Sequence, residues 1–192
     1  EYLSGRYAKN VAYALDKRKE IYDILMSFKT QEANNQDREN YYPVSVYCGG
    51  CFKDTTKVTN YNPQTHELTY YCRECGKEET VNVLEYYRIK LIWKVDWPMR
   101  WKMENVDFEA GGIDHAASGG SYDVDIVLSP QIWSYPAPVF QGYGWLGFQG
   151  VSSMHSSSGI NITPNNALKL YEPEILRWLF AKYEPKDPYN FY

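Results

Sequence analysis

The stretch Phe108-Glu109-Ala110-Gly111-Gly112-Ile113-Asp114-His115-Ala116-Ala117-Ser118-Gly119-Gly120 decides the fold class. Val106-Asp107-Phe108-Glu109 reads as a short strand, and it runs directly into a glycine pair and a small-residue run that lets a helix pack closely on a sheet. On its N-terminal side, Ile89-Lys90-Leu91-Ile92-Trp93-Lys94-Val95 reads as another strand, closed by Asp96-Trp97-Pro98, with Pro98 placed to open a helix. On its C-terminal side, a third strand is expected around Val139 to Phe148. A Ser/Gly-rich loop follows from Gly150 to Ile162, then a helix with Pro173 in its first turn. Strand, helix, strand, loop and helix in this order predict half of a parallel α/β sheet.

Further upstream, Val11, Leu15, Tyr22, Leu25 and Phe28 recur at helical spacing between Lys9 and Phe28, interrupted by Lys17-Arg18-Lys19-Glu20. This spacing predicts one amphipathic helix. Gln31 to Asn40 has no periodicity and reads as a linker. From Tyr41 to about Val83, alternating runs such as Lys57-Val58-Thr59 and Glu67-Leu68-Thr69-Tyr70-Tyr71 predict a small antiparallel ribbon with a turn at Asn62-Pro63.

That ribbon carries Cys48-x2-Cys51 and Cys72-x2-Cys75, which use all four cysteines of the chain. Two such turns direct four thiolates to one point, as a closed tetrahedral structural zinc site requires. Two disulfides are disfavoured by the absence of a secretory signal, and a redox pair by the presence of two such motifs in one ribbon. With four protein ligands the ion has no open position, so it holds structure and performs no chemistry. His66, between the two turns, reads as a surface residue.

The bulk composition is globular: 192 residues, 44% hydrophobic and 23% charged, with 19 Tyr and 6 Trp. A net charge of -4 excludes nucleic-acid binding through an overall basic surface and leaves only local patches for it. No apolar run reaches the roughly 18 to 20 residues of a membrane span, so no membrane partner is expected and a cytoplasmic protein is the default. The chain opens on Glu1 without a methionine, as a piece of a longer protein would.

Three segments in fixed order carry a family resemblance: Trp93-Lys94-Val95-Asp96-Trp97-Pro98-Met99-Arg100-Trp101, then Phe108 to Asp123, then Met154-His155-Ser156-Ser157-Ser158-Gly159-Ile160-Asn161-Ile162-Thr163-Pro164. Together with the cysteine module and the Pro-Glu-Ile-Leu-Arg helix they resemble the class I lysyl-tRNA synthetases over nearly the whole chain. The resemblance implies a partial Rossmann-type parallel sheet with an inserted zinc ribbon and flanking helices. The expected layout is a helical segment and linker over 1–40, the ribbon over 41–83, the C-terminal Rossmann half over 84–165 and the start of a helical stem over 166–192.

It also implies a lysine–tRNA ligase, which forms lysyl-adenylate from lysine and ATP (with Mg2+) and passes the lysyl group to tRNA(Lys). Gly112, Asp114 and His115 would then belong to the ATP site, with Gly112 admitting the nucleotide to the backbone and Asp114 accepting ribose hydroxyls. Asp96 would face a substrate ammonium, and Trp97 and Trp101 would give cation–π faces or walls for an aliphatic stem. Without the family, an Asp ending a strand is commonly a helix N-cap and tryptophans four apart are commonly core. Ser153, Met154, Ser156 and Ser157 would form the signature loop of the Lys-Met-Ser-Ser-Ser type, which stabilises the α-phosphate during adenylate formation.

The pattern is not intact. Ser153 stands at the signature lysine, His155 at a serine, Ser158 where a second basic residue is common, and Ile113 where Lys is expected before Asp114-His115. Together these departures remove cations from the phosphate region, and losing one preorganised donor costs about 10²- to 10³-fold in rate. The histidines His66, His115 and His155 do not form a His-x-Gly-His or His-x-Gly-Asn motif. The segment alone is therefore expected to be inactive. A non-catalytic paralogue that keeps the ribbon as a binding module is the alternative expectation.

Overall fold

The computed structural model describes residues 1–30, 34–148 and 163–191. The chain divides into two compact units, one of residues 1–107 and 118–138, the other of residues 108–117 and 139–192.

The first unit begins with a 3-10 turn, Tyr2–Ser4, followed by helices α1 (Ala8–Asp16) and α2 (Arg18–Ser27). The single helix expected over 9–28 is thus two. Continuing the Val11/Leu15 stripe would bury Arg18 and Lys19, so the chain re-aims at Lys17 and buries Ile21 and Tyr22 instead. The expected linker contains a short helix α3 (Asn35–Glu39), because the Asn34 side chain accepts the Asp37 N–H at 2.7 Å as an N-cap. Arg18 then fastens the end of this segment by donating to the Glu39 and Tyr41 carbonyls at 2.7 and 3.2 Å.

Strand β1 (Val44–Val46) pairs antiparallel with β5 (Ile89–Leu91), and the ribbon between them is an antiparallel meander of β2 (Thr56–Asn62), β3 (Glu67–Cys72) and β4 (Glu78–Asn82). Leu68, Tyr70 and Cys72 face inward along β3 while Glu67, Thr69 and Tyr71 face outward, the alternation the sequence predicts. The strand expected over Ile89–Val95 stops at Leu91. Helix α4 (Trp93–Glu104) replaces its second half, so Pro98 lies inside a helix and does not open one. Burial of Val95, Trp97, Met99 and Trp101 on α4 outweighs both the β propensity of the segment and the proline's cost. Helix α5 (Ser121–Leu128) and a π-helical turn (Ser129–Trp133) complete a core shared by Tyr7, Leu15, Ile21, Leu68, Met99, Leu128 and Trp133.

In the second unit, β6 (Phe108–Gly112) pairs parallel with β7 (Val139–Tyr143), and β8 (Leu146–Phe148) pairs parallel with β9 (Tyr189–Phe191). The molecule is therefore mixed α/β with parallel pairing, as expected. The region 139–148 forms two strands, not one. The small-residue run after β6 forms a 3-10 turn, Ile113–Ala116, and α5 starts only at Ser121. Helices α6 (Pro164–Ala167) and α7 (Pro173–Lys182) follow, each with proline in its first turn.

Candidate functional site

The four cysteines converge in the first unit. Their sulfurs lie within 4.8 Å of one another, with Cys48 to Cys75 and Cys51 to Cys72 both at 3.6 Å. A disulfide needs sulfurs about 2.05 Å apart, so all four thiols are free and placed to hold one metal ion. The two turns are built alike. The Cys48 carbonyl accepts the Phe52 N–H at 3.0 Å and the Cys48 N–H donates to Lys53 at 2.9 Å. The Cys72 carbonyl accepts the Gly76 N–H at 3.0 Å and the Cys72 N–H donates to Lys77 at 2.8 Å. Backbone amides aim at the sulfurs in both: the Cys51 N–H is the chief reason that the Cys48 thiol is drawn down to about 6, and the Cys75 N–H lowers Cys72.

A polar shell braces this cluster. The Gly49 N–H donates to the Tyr70 hydroxyl at 2.9 Å, Tyr70 donates to Glu79, and Lys77 pairs with Glu79 at 2.9 Å. A Cβ at position 49 would lie 2.7 Å from Glu79 Oε2, so a side chain there would displace the Glu79 carboxylate from its place beside Tyr70 and Lys77. Burial, then the bond to Glu79, pushes the Tyr70 phenol above its ordinary range, so Tyr70 stays a neutral donor.

Helix α4 carries an aromatic ladder at four-residue spacing. Trp93 stacks on Trp97 with centroids 5.3 Å apart, and Trp97 meets Trp101 at 5.2 Å. Tyr122 of α5 closes edge-on against Trp97 and Trp101 at 6.5 and 5.9 Å. Trp93 and Tyr122 were not among the candidates, although the spacing of Trp93 is visible in the sequence. Asp96 lies in the first turn of α4, buried, and neither ends a strand nor caps the helix. Its Oδ1 accepts the Tyr2 hydroxyl and its Oδ2 accepts Arg100 Nε at 2.9 Å. Tyr2 and Arg100 are partners that a linear motif does not reveal.

Gly112, Asp114 and His115 fall at the C-terminal end of β6, in the second unit. Parallel strand ends of this kind are where α/β sheets bind ligands. A Cβ at Gly112 would lie 2.5 Å from Asp114 Oδ1, so the glycine makes room for that carboxylate. Gly111 similarly leaves space for the Phe140 ring, 2.9 Å from where its Cβ would be. Ser153, Met154, Ser156 and Ser157, with His155 and Ser158, lie outside the described residues.

One buried group has no counterpart among the candidates. Asp125 of α5 is fully buried, and among the described residues neither carboxyl oxygen has a hydrogen-bond partner. Burial pushes its carboxyl up to about 9, partly offset by Lys94. Among the described residues, no helix is long and apolar enough to cross a membrane.

A family model described as "tRNA synthetases class I (K)" matches residues 1–192. The lysine–tRNA ligase of Borreliella burgdorferi is 39% identical over 191 residues, covering 99% of this chain and 35% of the relative. That of Streptomyces coelicolor is 36% identical over 217 residues, covering 99% and 37%, and that of Methanocaldococcus jannaschii 36% over 193 residues, covering 99% and 36%. The chain spans about a third of the length of the curated relatives it matches.

Proposed function

The chain belongs to the class I (K) tRNA synthetases, and from that premise we propose that the protein containing it is an ATP-dependent lysine–tRNA ligase of the cytoplasm. The observation that carries this reading is the alignment of 99% of this chain with the lysine–tRNA ligases of Borreliella burgdorferi, Streptomyces coelicolor and Methanocaldococcus jannaschii. In this reading the lysine carboxylate attacks the α-phosphorus of ATP and pyrophosphate leaves, with Mg2+ as the ion that would neutralise its charge; a terminal ribose hydroxyl of tRNA(Lys) then attacks the lysyl carbonyl and AMP leaves.

The ladder of Trp97 and Trp101, buried and closed by Tyr122, forms the aromatic wall behind the amino-acid site in this reading. Asp96 adds a carboxylate whose position Tyr2 and Arg100 fix. Gly112, Asp114 and His115 serve the nucleotide, and the loop with Ser153, Met154, Ser156 and Ser157 meets the α-phosphate. Residues 41–83 form an insertion organised by zinc. Zinc–thiolate bonds of about 2.3 Å in a tetrahedron give sulfur–sulfur edges of about 3.8 Å. The 3.6 Å separations of Cys48 from Cys75 and of Cys51 from Cys72 fit that ion in a closed, structural role. Taken alone, the 192 residues are inactive in this reading.

Ser153, His155 and Ile113, which stand where the family pattern has other residues, favour a second reading, a non-catalytic paralogue that retains the ribbon for binding. Lysine-dependent ATP–pyrophosphate exchange by the full-length protein, assayed with and without tRNA, separates the two. Exchange that requires lysine supports the ligase. Its absence from a folded, metal-loaded preparation supports the paralogue.

A further inference from the structure

We propose that the aromatic pocket beside the first cysteine turn seats an unpaired nucleotide of an RNA, an inference that rests on the reading that this protein handles tRNA. The pocket holds about 310 Å³, and its walls include the rings of Tyr2, Tyr47, Phe52 and Tyr87 with the cations Arg88 and Lys90. No carboxylate is among the described residues that line it. In a chain of net charge -4, Arg88 and Lys90 are exposed and form no ion pair with another described residue.

Phe52 is the residue that marks the pocket as more than a gap. It takes a left-handed backbone, φ 62°, at the position where the second cysteine turn has Gly76 at φ 73°. A bulky residue is strained there, and strain of this kind persists where a side chain is used. The residue is 58% exposed, so it does not serve the core, and the Arg88 guanidinium lies 4.4 Å from its ring centroid. Tyr87 is held in a comparable way: Gly5, at φ 76°, leaves the ring a seat, since a Cβ there would come within 2.7 Å of Tyr87 Cζ.

Exposed aromatic faces beside unpaired cations are how proteins hold single-stranded RNA, the ring stacking on a base and the cations meeting phosphate. The volume suits one base and its sugar, and cations without acids complement a phosphodiester. A purely acidic partner would use the cations and leave the strained ring unexplained.

The test uses the full-length protein and a fluorescently labelled tRNA transcript, with a short single-stranded oligoribonucleotide as competitor. Phe52→Gly removes the ring at a position glycine suits, Phe52→Tyr keeps a ring, and Arg88→Gln removes a cation. Phe52→Gly is expected to weaken tRNA binding about tenfold, with metal content unchanged and thermal stability equal or higher. Phe52→Tyr keeps the parent affinity, and Arg88→Gln weakens binding with a shallower salt dependence. Unchanged tRNA affinity in Phe52→Gly and Arg88→Gln overturns the proposal, as does a change in the KM for ATP in place of tRNA affinity. If Phe52→Gly fails to fold, Arg88→Gln decides alone. A parent protein that charges tRNA while its variants bind it equally well refutes only the pocket, whereas a parent that binds no tRNA refutes the ligase reading too.

Discussion

The Tyr2 hydroxyl donates to Asp96 across 94 residues of sequence, tying the N-terminal turn to helix α4, which carries the tryptophan ladder. Arg100, one turn further along α4, donates to the other oxygen of the same carboxylate, and its guanidinium lies 5.8 Å from the Tyr2 ring centroid. The buried charge is thus held by two donors from separate parts of the chain. Asp96→Asn keeps the shape and removes the charge, and is expected to cost about 2 kcal/mol in urea denaturation, with Tyr2→Phe costing about 1. A double-mutant cycle between them should show coupling. Because the Asn oxygen can still accept the Tyr2 hydroxyl, additive losses would mean that the Asp96 charge adds nothing to the Tyr2 bond.

The cysteine cluster makes a separate prediction. Cys48→Ser or Cys72→Ser removes one of four thiolates and should release the metal and unfold the β2–β4 ribbon, because binding and folding of such modules are linked. Native mass spectrometry reads the stoichiometry. One zinc per parent chain and none per variant is the expected result, and unchanged stoichiometry would contradict the site.

Asp125 gives the chain a pH dependence. Its carboxyl titrates in the fold at about 9, well above its ordinary value near 3.8, because burial disfavours the charged form. The protonated form is therefore the one the fold prefers. Its stability is fully present below the ordinary carboxylate range and is lost as pH rises from about 4 towards about 9. Asp125→Asn mimics the neutral form, so its advantage over the parent should widen by at most about tenfold in folding constant per pH unit across that window. Parallel pH profiles from thermal melts would refute the assignment.

The proposed role of Ser153 is open to a gain-of-function test. If the protein is the proposed ligase and Ser153 stands at the signature lysine, Ser153→Lys supplies a cation at the α-phosphate and is expected to raise the adenylation rate of the full-length protein by about 10²-fold. An unchanged rate would mean that Ser153 is not in the signature register.

The cysteine module was legible because its signal is local: two identical spacings and a period-two alternation in Glu67–Tyr71 suffice. The parallel pairing was legible in outline from Phe108–Gly120, but the small residues there hold a 3-10 turn and the left-handed Gly119, with α5 starting later. The segment after Leu91 could not be read locally. Ile92, Trp93 and Val95 favour a strand in isolation, and only the tertiary burial of Val95, Trp97 and Trp101 makes it a helix. The partners of Asp96 were hidden for a related reason. Tyr2 reaches it from the far end of the unit, and nothing in the spacing of the tryptophan motif points there.

The proposal that the protein is a lysine–tRNA ligase is tested most directly by incubating the full-length protein with ATP, magnesium, tRNA and radiolabelled lysine and counting acid-precipitable label. The account predicts label on tRNA that requires ATP and that unlabelled lysine competes away. A folded, zinc-loaded protein that transfers no lysine to tRNA would contradict it.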